Sequence, residues 1–198
     1  MPSGPNRHVK EALQQVADIH AQVARSAYFR GYRAEIALGQ AATAVAVAGL
    51  EAVLWERVDA ATHASIWLGV AAACALASAV DLALRWRSLP EYSVTVAARQ
   101  LAPALAAGLV LAPLLWGRAE LLPGIWTMLF GVGLGSSAPY LPRPIRLLGA
   151  FYFVAGAVMA HAASAGLNSP WPMGLTFGGG QLVAAAILRD LQDPAPHA

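Results

Sequence analysis

Three residues bring a carboxylate and two imidazoles to the ends of apolar stretches: Glu51 in "VAVAGLEAVLW", His63 in "ATHASIW" and His161 in "VMAHAAS". A carboxylate and two imidazoles arriving from three helices can hold a divalent metal, and the histidines alone can ligate a haem iron. Their spacing matches no recognised ligand motif. That favours the plainer reading, in which each group sits hydrated at a membrane interface and no cofactor is expected. His8, His20 and His197 lie outside the apolar stretches and invite no metal reading.

A second set of polar groups, Glu35, Asp81 and Gln181, is distributed along the apolar stretches. Ionisable residues within spans are costly and mark functional sites by default. Glu35 and Asp81 fall near one interface, with Arg33, Arg85 and Arg87 close in sequence, so ion pairing across two helices explains them better than a proton relay. Gln181 falls midway through the last apolar stretch. With Glu35 or Asp81 on one side and Glu51, His63 and His161 on the other, it defines a possible substrate path.

No catalytic set emerges, so an enzyme is not expected. "GLGSSAP" supplies Ser136 and Ser137, but the G-x-S-x-G elbow is absent and no His and Asp stand beside them. These serines suit helix-end carbonyls instead.

The elements that must carry these groups are long apolar blocks. Only 12% of the 198 residues are charged, about half of the roughly 25% usual in a soluble domain. Six blocks, about 34–55, 62–84, 99–117, 120–138, 145–164 and 171–189, approach the roughly 20 apolar residues that a helix needs to cross a bilayer. The fourth and sixth are short and glycine-rich. "SLPEYSV" between the second and third reads as a cytosolic turn. With the N-terminus inside, eleven Lys and Arg fall on the cytosolic side and only Arg57 and Arg118 on the other, as the positive-inside rule requires. Trp55, Trp116 and Trp171 then mark outer ends and Trp86 an inner one.

The expected fold is therefore all-α. It comprises a cytosolic amphipathic helix (1–33), a six-helix transmembrane bundle (34–189) and a cytosolic tail (190–198), in a bacterial inner membrane. A net charge of +2 gives no basis for nucleic-acid binding, and the single cysteine, Cys74, allows no internal disulfide.

"TFGGGQLVAAAIL" raises the question of a phosphate loop, but it lacks the preceding strand and the following lysine. Gly174 and Gly178, and likewise Gly131 and Gly135, instead stand four apart, the spacing at which small residues let membrane helices approach closely. The triple glycine and the third block's Pro103 and Pro113 are also places where a helix can loosen or kink.

Before the first span, Val9, Leu13, Val16, His20, Val23 and Ala27 follow a four-and-three spacing along one helix face, widened by Ala12 and Ile19. The opposite face mixes acids, amides and lysine, which favours docking to a cytosolic partner or a second copy over lying on lipid. "ADIHAQVARSAYFRGYRA" and "LNSPWPMGLTFGGGQL" resemble segments of a family of uncharacterised small bacterial polytopic membrane proteins. That resemblance implies a cytosolic N-terminal helix followed by several spans and carries over no functional residue. From sequence, the leading reading is a non-enzymatic membrane module that docks a partner or self-associates through residues 9–27. A small transporter or channel is the alternative, and a metal- or haem-binding membrane protein is the third.

Overall fold

The computed structural model describes residues 13–16, 19, 33–85, 91–137 and 143–192, except the side chains of 91–100, 143, 191 and 192. Among the described residues the protein is all-helical, with no strand. Residues 13–16 and 19 are helical, and six long helices follow: α1 (Ala34–Leu54), α2 (Ala60–Arg85), α3 (Glu91–Leu114), α4 (Leu122–Ser136), α5 (Arg143–Ser164) and α6 (Trp171–Gln192). Short 3₁₀ turns at Trp55–Arg57 and Trp116–Leu121 close the α1–α2 and α3–α4 connections.

Four helices are long and apolar enough to cross a membrane: Ala34–Arg57, Ala60–Arg85, Pro144–Ser164 and Trp171–Asp190. The sixth apolar block, short on paper, is thus one full-length helix. Of the other two expected spans, α3 covers 24 residues, of which Leu101–Leu114 is the apolar part with described side chains, and α4 has only 15 residues. α3 nevertheless begins at Glu91, inside the segment that reads as a turn. The local chemistry accounts for this correction: a proline followed directly by an acidic residue is a helix-start signal as well as a turn signal.

The bundle is built on small residues. The buried face of α1 runs Ala34, Ala37, Ala41, Ala44, Ala48, Glu51, alternating steps of three and four that trace a seam along the helix. α6 lies antiparallel against that seam, so Ala34 and Ala37 cluster with Ala185 and Leu188, and Ala44 and Ala48 with Met173. A Cβ at Gly178 would lie 2.6 Å from Val45 Cγ2, and one at Gly174 would overlap the Ala48 methyl. α4 and α5 make the other extensive contact. There a Cβ at Gly131 would lie 2.6 Å from the Phe153 nitrogen, and one at Gly156 2.5 Å from that of Met128. In lipid, where apolar burial gives helices no driving force, backbone approach of this kind supplies the packing. Gly135 differs, because a Cβ there meets nothing within 4 Å.

The triple glycine divides its work between neighbours. Gly178 admits α1, Gly180 admits the Tyr152 hydroxyl of α5, and Gly179 faces open space. Tyr152 is buried among Phe130, Phe151 and Phe177, with ring centroids 4.9 to 5.4 Å away. Pro103 and Pro113 both lie inside α3.

Candidate functional site

The alanine seam of α1 ends on Glu51, which the three-and-four spacing turns into the bundle along with the alanines. Glu51 is 3% exposed. It is met by two side chains one turn apart on α2. His63 Nδ1 lies 3.0 Å from Glu51 Oε1, and Trp67 Nε1 donates to Glu51 Oε2 at 2.8 Å. The start of α2 is fixed by Asp59, whose Oδ1 accepts from the Thr62 nitrogen at 2.8 Å, while its carbonyl accepts from the His63 nitrogen at 2.9 Å. Asp59 thus acts as the helix N-cap, and it sets the turn that aims His63 at α1. The Thr62 hydrogen bonds hold the Asp59 carboxyl below its ordinary value.

With Glu51 ionised, His63 donates through Nδ1, which leaves Nε2 as an acceptor or ligand nitrogen. The imidazole stands edge-on to Trp55, ring centroids 5.4 Å apart, and 6.3 Å from Trp67. His63 lines a cavity of about 260 Å³ between the Trp55–Arg57 turn and the adjoining ends of α2, α4, α5 and α6. The walls are mostly apolar, including Trp55, Pro123, Met159 and Met173; the polar groups are His63, Glu120, Asn168 and Ser169. Concave, largely apolar walls with a few polar groups are the usual form of a small-ligand site. Arg118 Nε donates to Glu120 Oε1 at 2.6 Å, and that bond holds the Glu120 carboxyl below its ordinary value.

The three residues singled out as a metal set do not all meet. Glu51 and His63 are in contact, whereas His161 is exposed on α5 and does not line the cavity. Among the described residues, no three of His, Cys, Asp and Glu gather in a metal-holding group. At the opposite end, Arg33 pairs with Glu35 at 3.1 Å and with Asp81 at 3.6 Å, and Asp81 also pairs with Arg85. Gln181 is half-buried midway along α6, away from the cavity. Gln40, not singled out from sequence, bridges α1 to α2 by donating to Ser78 Oγ at 2.9 Å and the Cys74 carbonyl at 3.3 Å. Ser136 and Ser137 donate to the carbonyls of Val132 and Gly133.

Of the N-terminal stripe, Leu13, Val16 and Ile19 are exposed, while Val9, Ala12, His20, Val23 and Ala27 lie outside the described residues, as do Trp86 and Arg87. Sequence reasoning missed Trp67, Glu120, Met159 and Met173. The i, i+4 relation of Trp67 to His63 was an available signal. The methionines, 14 residues apart on different helices, gave none. No described protein family, curated protein or solved structure matches this chain.

Proposed function

We propose that this chain is a six-span bacterial inner-membrane protein with residues 1–33 and 190–198 in the cytosol, and that its outer-facing pocket receives a small ligand beside His63. The observation that carries this reading is Glu51, a carboxylate 3% exposed at the end of an alanine seam and committed to the imidazole that lines the cavity. A buried carboxylate is costly in a span, and a purely structural bundle has no need of one beside a cavity. The pocket serves as the outer end of a transport path, with Gln181 at mid-depth and the Arg33–Asp81 pair at the inner end. The eleven-to-two partition of basic residues supports the orientation.

A cysteine placed at Ala163, which lines the cavity, in a Cys74→Ala background tests the pocket. A membrane-impermeant maleimide should label it in intact cells, and bulky Asn168→Trp at the exposed rim of the same cavity should suppress the labelling. Labelling only after the cells are permeabilised would overturn the outward-facing pocket.

The exposed Leu13, Val16 and Ile19, on one face of helical sequence, favour a second reading, docking of a cytosolic partner or a second copy. Deleting residues 1–28 should then abolish self-association or partner capture while leaving Ala163 labelling intact. Unchanged association after the deletion would remove the docking role.

A further inference from the structure

We propose that the outer pocket binds a soft monovalent metal ion, Cu(I) or Ag(I), through His63 Nε2 and the thioether sulfurs of Met159 and Met173, with Glu51 acting from behind His63. The proposal rests on the pocket being a ligand site. The three ligand residues come from α2, α5 and α6, and all line the same cavity. Met173 also clusters with Trp67, with Met159 packed against that cluster, which sets both methionines beside the Glu51–His63–Trp67 group.

Each ligand has a neighbour that fixes it. Metal-ligating histidines almost always give their other ring N–H to a carboxylate or carbonyl, which sets the tautomer and raises ligand basicity. His63 does this with Glu51 at 3.0 Å. The Thr176 hydroxyl lies 3.8 Å from Met159 Sδ. The Thr127 hydroxyl, fully buried, donates to the Pro123 carbonyl at 2.7 Å and lies 3.4 Å from Met173 Sδ. Methionine fills gaps in most cores. Two of them with polar neighbours at sulfur, on the wall that carries the bundle's buried imidazole, form a donor set.

The donor types select the ion. Thioether and imidazole are soft to borderline and suit Cu(I), whereas hard divalent ions require oxygen ligands. The site's one buried carboxylate faces the imidazole, and Glu120 is held by Arg118. Charge agrees with softness. A single positive charge beside the Glu51 carboxylate leaves the group neutral, while a divalent ion would leave a net charge between largely apolar walls, where unpaired charge is costly.

The test uses the full chain with Cys74→Ala, purified in mild detergent and titrated with Ag(I) as a redox-inert probe and with Cu(I) against a chromogenic Cu(I) chelator. Trp55 and Trp67 flank His63, so their fluorescence reports occupancy. One saturable equivalent that quenches this fluorescence is expected. Met159→Leu and Met173→Leu, close in volume, should each weaken binding at least tenfold, and Glu51→Gln by about 10- to 100-fold. His161→Ala should leave binding unchanged.

X-ray absorption of the Cu(I)-loaded wild-type site gives an answer even where a variant does not fold, and two sulfurs with one nitrogen around copper are expected. Undiminished Ag(I) binding in the Met159→Leu/Met173→Leu double variant, a shell of nitrogen and oxygen alone, or Zn(II) binding that depends on His161 would each overturn the proposal. Labelling of the Ala163 cysteine without metal binding would overturn this inference alone. Loss of that labelling would remove the pocket reading beneath it.

Discussion

At the scale of single residues, Asp59 shows how a fully exposed group can govern a buried one. Its carboxylate caps α2 and sets the turn carrying His63, and the Thr62 hydrogen bonds hold its carboxyl below the ordinary 3.8. The folded state therefore binds this proton less readily than the unfolded state does. The stability it contributes is complete above the unfolded value and is lost as pH falls through the lower folded one. Between about pH 5 and about pH 3, the melting temperature of the wild type should fall further than that of Asp59→Asn, whose amide caps at every pH. Parallel acid-induced losses in the two proteins would show that the cap does not titrate as argued. Glu51 and His63 were legible as polar groups sharing one leaflet, because each lies near the same end of an apolar block. Their contact was not legible, since it depends on which way the α1 seam turns. The exclusion of His161 follows from the rotation of α5, which puts Tyr152 and Gly156 inward and His161 outward.

At the scale of elements, glycine position decides packing more finely than glycine spacing. Gly131 and Gly135 share a four-residue spacing, yet the α4–α5 contact is made by glycines seven apart, Gly124 with Gly131 against Gly149 with Gly156. Two helices packed antiparallel meet closely about every two turns, a period carried jointly by two segments and invisible in either alone. Gly156→Ala should destabilise the protein by about 1–3 kcal/mol, the usual cost of overpacking, because its new methyl meets the backbone of α4 at Gly124 and Met128. Gly179→Ala, with nothing within 4 Å, should be neutral or slightly stabilising. Thermal unfolding of both in the same detergent checks the contrast, and equal melting temperatures would contradict the packing described. The helical character of all six blocks was readable from hydropathy. The early start of α3 was not, since one proline signals both a turn and a helix start.

At the scale of the whole molecule, the six-span reading and the charge partition predict both termini on the cytosolic side. Reporter fusions after residues 33, 92, 142 and 198 should all give cytosolic signals, and those after 59, 118 and 167 external ones. An external signal at 92 or 142 would overturn the arrangement. α2 is the loosest member, with only 6% of its most apolar stretch covered by the rest of the chain. Its hydropathy announced a span, but no sequence feature announced how little of it touches its neighbours. α4 carries a different consequence. Its 15 residues rise only about 22 Å at 1.5 Å per residue, against a hydrocarbon thickness of roughly 30 Å. The lipid alongside must dip to meet it, or the Trp116–Leu121 turn must sink to close the gap. Under the six-span reading either accommodation favours a thinner hydrocarbon layer beside α4, so this protein should partition into thinner bilayers and lose stability as acyl chains lengthen.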